Sequence, residues 1–192
     1  MRRIILFCFF VFALNSCIAE KSESNVVYIT DDTMFKLLPP AAIEKPVEGF
    51  EQITAMYNGN TYLITAYVDA DSSLLSMSFF NSLGTTMGEL IYDGKNVSFV
   101  SALLPKNIKA EYIAADFQLC FYSTNDINLN FKNKNPAKDS DLAITSVFDN
   151  SGKELRTIYR NTKKIIEIVR TETSVTYTNF LRSYSYTLEG KF

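Results

Sequence analysis

The sequence predicts a mainly β domain in which a curved antiparallel sheet of about ten strands packs around one central helix. Short runs rich in β-branched and aromatic residues recur about every ten to twelve residues, between turn signals. Residues 108–122 instead carry apolar side chains at intervals of four and three, which is typical of a helix. Strands near residues 62–68 and 97–103 have apolar side chains on both faces, so we expect them to be covered on both sides.

The chain begins with a signal for export. Arg2 and Arg3 precede an unbroken apolar run at residues 4–14, the order found in secretory signal peptides. As a helix this run would rise only about 16 Å, roughly half of a bilayer core, so it is too short for a lasting membrane span. We therefore expect residues 1–16 to be removed.

The end of the signal resembles a bacterial lipoprotein signal, in which a leucine and two small residues precede a lipidated cysteine. Residues 14–17 read Leu-Asn-Ser-Cys, and only the asparagine departs from that pattern. The resemblance implies acylation of Cys17 with palmitate-type chains. Because Ile18 rather than Asp follows, it also implies an outer-membrane anchor on the periplasmic face. The alternative is ordinary cleavage after Ala19, without a lipid.

Length and composition narrow the possible functions. A chain of 192 residues suits one well-buried domain, and a net charge of −2 without a basic block argues against nucleic acid as a partner. Histidine is absent from the whole sequence, which excludes His-dependent nucleophilic catalysis and His-based zinc sites. Cys120 is the one cysteine beyond the signal region, and its apolar neighbours predict a small buried hydrophobe.

Carboxylate pairs are the remaining route to catalysis, but the acidic residues stand where turns are expected. Asp is favoured in turns because its side chain accepts hydrogen bonds from its own backbone. The residues concerned are Asp31, Asp32, Asp69, Asp71, Asp93, Asp139 and Asp141. We therefore expect no enzyme, no cofactor and no metal site.

The first half of the mature chain predicts an antiparallel meander. Residues 17–26 are polar and predict a flexible tether, and residues 27–192 a single domain whose entry segment holds one helical turn at 33–37. Asn58-Gly59 is a strong hairpin signal between strands at 50–57 and 61–68. Three more strands are predicted at 74–80, 87–92 and 96–103.

The second half predicts one helix followed by more strands. The helix is expected at 108–122, and a polar loop after it contains a short strand at 127–131. Turn-like residues then separate five strands, at 142–148, 154–159, 164–170, 175–181 and 184–188.

Several short segments together resemble a family of uncharacterised bacterial lipoproteins whose members are often encoded beside aryl polyene or related lipid-like biosynthetic enzymes. The likeness covers about residues 37–190 and is carried by residues 37–40, 50–52, 83–87, 92–94, 104–105 and 115–119. That family in turn resembles the lipoprotein receptor LolB and its carrier LolA. The resemblance implies an incomplete antiparallel β-barrel, closed over by helices around a hydrophobic cavity.

The same resemblance suggests which residues form a site. The loop at residues 79–86 is similar to the receptor loop that turns an apolar residue toward the membrane, and Leu83 would take that role. The alternative is a plain hairpin loop whose leucine packs against the sheet. The helical wall of the cavity would comprise Ile108, Tyr112, Ala115, Leu119 and Tyr122.

Two functions fit these expectations. The first is a non-enzymatic, lipid-anchored outer-membrane protein that binds or transfers a lipid, a lipoprotein acyl chain or another amphiphile in a half-barrel cavity. The second is an envelope assembly or interaction lipoprotein with a solid core, which would bind other envelope proteins. Beyond the signal segment the sequence has 11 tyrosines and 11 of its 15 phenylalanines, and these side chains either line a site or simply fill the barrel.

Overall fold

The computed structural model describes residues 20–22, 25–101 and 109–192. The predicted signal peptide, Cys17 and Ile108 lie outside these ranges. Within them the fold is mainly β, with helices α1 (Ala110–Phe121) and α2 (Thr124–Asn130) and a short 3-10 turn at Pro40–Ala42. Neither of these helices is both long and apolar enough to cross a bilayer.

The described ranges contain fourteen strands. In chain order they are β1 (Glu20–Ser22), β2 (Val26–Tyr28), β3 (Thr33–Lys36), β4 (Val47–Tyr57), β5 (Asn60–Ala70), β6 (Leu75–Phe80), β7 (Thr86–Tyr92), β8 (Val97–Ser101), β9 (Phe131–Asn133), β10 (Leu142–Phe148), β11 (Glu154–Arg160), β12 (Lys163–Arg170), β13 (Ser174–Asn179) and β14 (Tyr184–Glu189). The strands predicted from 50 onward recur with bounds shifted by a few residues, except for the segment at 127–131.

Ten strands form one antiparallel sheet, in the order β8-β7-β6-β5-β4-β14-β13-β12-β11-β10. β1, which lies within the predicted tether, adds to this sheet beside β8. Among the described residues β1 and β10 do not pair with each other, so the sheet is not closed into a barrel. The pairing of β4 with β14 joins the two meanders that flank the helices in the sequence.

A second sheet of three strands, in the order β2-β3-β9, replaces the helical turn predicted at residues 33–37. That prediction was wrong because residues 33–36 alternate between buried and partly exposed positions, as a strand does. Phe35 is buried and its ring centroid lies 5.6 Å from that of Phe131 on β9. The entry segment therefore contributes a packed layer of its own.

Helix α2 replaces the strand predicted at residues 127–131, and the strand β9 begins only at Phe131. The helix is compatible with its neighbour because one side chain substitutes for a strand backbone. Asn128 donates to the carbonyl of Ile144 at 2.9 Å and accepts from the amide of Ile144 at 2.8 Å. This side chain satisfies backbone groups of β10 that a pairing strand would otherwise satisfy.

One face of the large sheet is covered and the other is largely open. α1 lies against the covered face, where Tyr92, Ile168 and Tyr177 are fully buried. On the opposite face Phe50 is 68% exposed and Leu63 is 63% exposed. The expectation that the strand at residues 62–68 is covered on both sides is therefore wrong: Leu63 on its outer face lies in solvent, and Tyr67 on the same face is half-buried.

Connections between strands alternate between two ends of the sheet because neighbouring strands are antiparallel. At one end, which we call the Asn-turn end, each described connection contains or directly follows an asparagine: Asn58, Asn81, Asn161 and Asn179. At the other, the Asp-turn end, the first residues of the connections are Asp71, Asp93, Asp149 and Thr171. The hairpin predicted at Asn58-Gly59 is confirmed, with φ of 50° and 76° at its two residues.

Buried ion pairs hold the C-terminal end of α1 against the sheet. Arg156 is 1% exposed and donates to Glu154 at 2.7 Å, to Glu44 at 3.0 Å and to the carbonyl of Tyr122 at 2.5 Å. Arg170 donates to the carbonyl of Cys120 at 3.0 Å. The last carbonyls of a helix lack intrahelical partners and carry partial negative charge, so two guanidinium groups satisfy and stabilise this end.

Gln118 connects α1 to the entry segment. Its side-chain amide accepts from the backbone amide of Leu38 and donates to the carbonyl of Leu38, both at 2.8 Å. Gln118 is fully buried, and these two bonds satisfy both of its polar atoms. The C-terminal half of α1 is thus fixed on two sides.

Candidate functional site

The N-terminal half of α1 borders a cleft of about 540 Å³ between the helix and the Asn-turn end of the sheet. Its lining residues come from β4, from α1 with the residue before it, and from β14 with the turn that leads into it. They are Tyr57, Lys109, Tyr112, Ile113, Asp116, Arg182 and Tyr184. A neighbouring hollow of about 310 Å³ shares Tyr57 and Tyr184 with the cleft.

Secondary structure places these side chains together. Tyr112 and Asp116 are one helical turn apart on α1, so they share a face. Tyr184 pairs directly with Tyr57 across β14 and β4, which puts both rings on the same face of the sheet. The cleft therefore has one helical wall and one wall of paired strands.

A cluster of tyrosines forms the polar base of the cleft. The hydroxyl of Tyr184 donates to Oδ2 of Asp116 at 2.7 Å. The ring of Tyr177 stacks between those of Tyr184 and Tyr186, with centroid distances of 5.7 and 4.9 Å. Stacked, buried rings have few alternative rotamers, so the orientation of the Asp116 carboxyl is well fixed.

Burial raises the pKa of Asp116 to about 7, although hydrogen bonds from Tyr184 and Tyr177 act in the opposite direction. Burial also raises the pKa of Tyr184 and holds that of Tyr177 well above its ordinary value. The tyrosine hydroxyls therefore stay neutral, and Asp116 exchanges its proton near neutral pH.

Cys120 lies beneath the same cluster and is fully buried, as the sequence predicts. Its Sγ lies 3.9 Å from the hydroxyl of Tyr186. Burial raises the pKa of this thiol to about 12, so the thiolate that nucleophilic chemistry requires is not formed near neutral pH. Cys120 acts as a core residue.

Two cations stand at the edge of the cleft. The guanidinium of Arg182 lies over the ring of Tyr112, 4.8 Å from its centroid. The backbone amide of Arg182 donates to Oδ1 of Asn179 at 2.9 Å, which fixes the turn that carries it. Lys109, the residue before the first turn of α1, is the second cation.

The Asn-turn end also exposes large apolar side chains. Leu83 is 87% exposed at the tip of the loop between β6 and β7. Oδ1 of Asn81 accepts from the amides of Leu83 and Thr85, both at 2.9 Å, and this holds the loop in one conformation. Other exposed apolar residues at this end are Met56, Tyr57, Tyr62, Leu63, Phe180 and Leu181.

The residues expected to form the helical wall of a cavity lie in different surroundings. Tyr112 lines the cleft. Ala115, Leu119 and Tyr122 are buried in the core, away from the cleft lining. The core surrounds the C-terminal half of α1, where residues 117–121 are all buried. Apolar spacing along a helix therefore does not distinguish residues that line the cleft from residues that are buried in the core.

Sequence reasoning assigned no role to Asp116, Arg182, Tyr184 or Tyr57. One signal was available, because Asp116 is the single acidic residue in the apolar stretch 112–122. A lone carboxylate on the buried part of a helix requires a partner or a raised pKa. Arg182 and Tyr184 gave no comparable signal, since they reach the cleft only through strand pairing.

Glu51 is another buried carboxyl group, on β4 and outside the cleft lining. It is 1% exposed, and neither oxygen has a hydrogen-bond partner among the described residues. Burial raises the pKa of Glu51 to about 7. Its carboxyl group occupies the space where a side chain at Gly190 would lie, so it packs tightly against the end of the chain.

Residues 50–190 match the family described as protein of unknown function (DUF3261). The chain belongs to the DUF3261 family. The matched region runs from β4 to the end of β14 and includes both α-helices and all the cleft residues named above. Membership of an uncharacterised family, expected from the sequence, is thereby confirmed. No curated protein matches the chain.

Proposed function

We propose that this DUF3261 protein is a lipid-anchored outer-membrane protein, on the periplasmic face, that binds or transfers an amphiphile in the cleft beside α1. The observation that carries the proposal is the position of the cleft, which opens at the end of the sheet where apolar side chains are exposed. Its volume of about 540 Å³ falls within the roughly 300–1,000 Å³ usual for small-molecule sites.

The walls of the cleft suit a hydrocarbon tail. Tyr57, Ile113 and Tyr184 offer apolar surface, and burial contributes about 25 cal/mol for each Å² removed from water. A tail burying about 300 Å² would therefore gain about 7–8 kcal/mol, enough for micromolar binding before ordering costs are subtracted.

Leu83 supports contact with a membrane. An exposed leucine on a loop held by Asn81 can enter the interface of a bilayer without rearrangement of the sheet. Because the cleft opens at the same end, docking there would bring the site close to lipid. A likeness to LolA and LolB, and genes for aryl polyene or other lipid-like biosynthesis nearby, would agree with this role.

The proposed anchor is the acylated thiol of Cys17. Two or three acyl chains, at about 0.8 kcal/mol per buried methylene, would retain the protein at the membrane. Labelling cells with a palmitate analogue should mark the wild type and not Cys17→Ala. Label that remains on the variant would remove the anchor from the proposal.

A non-catalytic role agrees with the chemistry of the cleft. The only carboxylate that lines it among the described residues is Asp116, which already accepts a hydrogen bond from Tyr184. In the described ranges, no three His, Cys, Asp or Glu side chains lie close enough to share a metal ion. The partners that we propose are the membrane and amphiphiles.

Binding of a fluorescent fatty acid to the purified protein tests the proposal, together with mass spectrometry of lipid extracted from it. Ile113→Trp should fill the cleft and weaken binding at least tenfold. Leu129→Trp, at an exposed position on α2, is the matched control and should bind as the wild type does. Empty extracts and no binding by the wild type would refute the proposal.

The exposed edge of the sheet favours a second function, in which the protein docks another envelope protein. β10 is an edge strand of the described sheet. Asn128 bonds its backbone at Ile144, whereas Val147 and Phe148 farther along the strand are exposed. Unpaired strand edges can accept a strand from a partner. If the wild type binds no amphiphile, this function takes precedence, and Val147→Lys should weaken the protein complex.

A further inference from the structure

Arg182 differs from the other arginines of the described ranges in its electrostatic surroundings. Arg156, Arg160 and Arg170 each form ion pairs with one or more carboxylates at distances between 2.6 and 3.3 Å. Arg182 has no carboxylate within ion-pair distance in the same ranges, and it lines the cleft. Its charge lowers the pKa of Asp116 from a longer distance. Because no direct ion pair in these ranges neutralises the guanidinium, it can still bind an anion of a ligand.

The guanidinium of Arg182 is held in place by neutral groups. It lies over the ring of Tyr112, and its Nη2 donates to the backbone carbonyl of Tyr28. A guanidinium has five N–H donors in a planar fork that matches carboxylate and phosphate oxygens. These contacts orient the group and leave further donors unused by the described residues.

Lys109 adds a second positive charge to the same lining and has no ion pair in the described part of the chain. Asp116 is the one carboxyl group of the cleft lining and is bonded to Tyr184 deeper in the cleft. The two cations outnumber the single acid, and the apolar walls lower the local dielectric. An anion at the edge of the cleft is favoured.

We propose that the cleft selects amphiphiles with an acidic head, a carboxylate or a phosphate monoester, which Arg182 and Lys109 bind while the tail lies against Tyr57, Ile113 and Tyr184. This inference rests on the proposed function, because it assumes that the cleft holds a tail. It adds the chemical class of the head group, which the apolar walls alone do not specify.

The test compares probes that share a tail and differ in the head. Palmitate, palmitoyl lysophosphatidate, monopalmitoylglycerol and hexadecylamine are titrated below their critical micelle concentrations against the full-length protein, by displacement of a fluorescent fatty acid. At least one acidic probe should bind about tenfold more tightly than monopalmitoylglycerol, the gain usual for hydrogen bonds to a charged group. The acidic probe that binds best identifies the head.

Variants assign the preference to the two cations. In Arg182→Gln with Lys109→Gln, the ratio of acidic to neutral affinity, measured on the same variant, should fall close to one. Arg182→Lys should keep only part of the ratio, because it keeps the charge but loses the planar fork of donors. Lys163→Gln, an exposed lysine at the Asn-turn end outside the cleft lining, is the matched control and should change nothing.

The outcomes separate the inference from the function on which it rests. Equal or tighter binding of hexadecylamine, or a preference that survives the double variant, would overturn the choice of an acidic head and leave a tail-binding cleft. Failure of all four probes to displace the fluorescent fatty acid, or to bind at all, would overturn the cleft as an amphiphile site and the inference with it.

Discussion

The turns at the two ends of the large sheet are stabilised by different residue types. At the Asp-turn end the hydroxyls of Ser73 and Ser151 donate to Asp71 and Asp149, and amides two to four residues later donate to Asp71, Asp93 and Asp149. These bonds lower the pKa of each carboxyl. At the Asn-turn end Asn81 and Asn179 accept equivalent bonds without a charge. Both residue types suit turns, so local geometry does not explain the division.

The absence of carboxylates from these turns agrees with the apolar surroundings of the cleft. If this end contacts lipid, a carboxylate beside Leu83 or Phe180 would have to lose its hydration, which costs free energy. An asparagine side chain carries no charge and avoids this cost. α1 follows the same division. Its C-terminal half is fixed by Arg156 and Arg170 near the Asp-turn end, and its N-terminal half borders the cleft. One end provides rigidity and the other an accessible apolar surface.

Removal of Arg156 should disrupt the rigid end. Arg156→Ala leaves Glu154 buried with fewer positive partners and uncovers the last carbonyls of α1, so we expect a loss of about 3–5 kcal/mol in the free energy of unfolding. Urea denaturation measures it. Arg160→Ala, which breaks partly exposed ion pairs, is the control and should cost far less. Equal losses would show that the buried network does not anchor the helix.

Glu51 should make stability depend on pH. Its folded pKa of about 7 lies above the ordinary value of 4.5, so folding is favoured below pH 4.5 and loses stability as pH rises toward 7. Glutamine does not ionise, so Glu51→Gln should avoid this loss, which amounts to up to about 3 kcal/mol in the free energy of unfolding. The variant should therefore be more stable than the wild type at pH 8. Chemical denaturation at pH 5 and pH 8 measures the difference.

The exposed residue Glu89 provides the control for this experiment. Glu89→Gln should change the free energy of unfolding little at either pH. A Glu51→Gln variant that is less stable than the wild type at pH 8 would mean that the carboxylate has a stabilising partner.

Leu83 tests the apolar character of the Asn-turn end. In a Cys17→Ala background, which removes the expected acyl anchor, Leu83→Ser should weaken binding to lipid vesicles by up to about tenfold, because partial burial of leucine is worth about 1–2 kcal/mol. Vesicle sedimentation measures the binding. Val147→Ser, at an exposed residue of β10, should have no effect. Thermal unfolding of Leu83→Ser should match that of the parent.

Asp93 tests the turns at the other end. Its Oδ1 accepts from the amides of Lys95 and Asn96 at 2.8 and 2.7 Å. Asp93→Ala should destabilise the protein by about 1 kcal/mol without a change in vesicle binding. Asp93→Asn keeps an acceptor and should recover much of the loss. An unchanged denaturation midpoint in Asp93→Ala would show that these bonds add nothing.

An exchange of turn residues gives the mildest test. In Asn81→Asp the new carboxylate can still accept from the amides of Leu83 and Thr85, so stability should stay within about 0.5 kcal/mol. Binding to vesicles rich in anionic lipid should fall a few-fold, because a negative charge is placed beside Leu83. Unchanged vesicle binding would remove charge as the reason for the division between the two ends.

Much of the β-structure could be predicted because its signals are local. Alternating residues and the Asn58-Gly59 turn specify strands and a hairpin without reference to distant parts of the chain. The predicted helix was found as α1, within the residues that the structure describes. α2 could not be predicted, because its Asn128 side chain forms hydrogen bonds with the backbone of β10, and no local sequence pattern indicates this contact. Residues 33–36 lie between two partner strands: β2 is close in the sequence, but β9 is nearly one hundred residues away.

The cleft residues show the same limit. Helical spacing identified Tyr112, yet it also selected Ala115 and Leu119, which the core buries. Strand pairing of β4 with β14 brings Tyr57 to Tyr184, and contact with α1 brings Tyr184 to Asp116. These contacts join residues more than sixty positions apart, so their meeting depends on sheet order and not on sequence spacing.

The sequence by itself determined the β-rich class, most of the strands and helix α1, and the family to which the chain belongs. The class, the strands and α1 follow from periodicity and turn chemistry, which act over a few residues, and the family follows from the resemblance of several short segments. Only the tertiary structure decided that the sheet stays open, that Asp116 and Arg182 share a cleft, and that Arg156 fixes one end of α1. Such features arise from long-range packing, where burial and desolvation choose partners that local propensity does not specify.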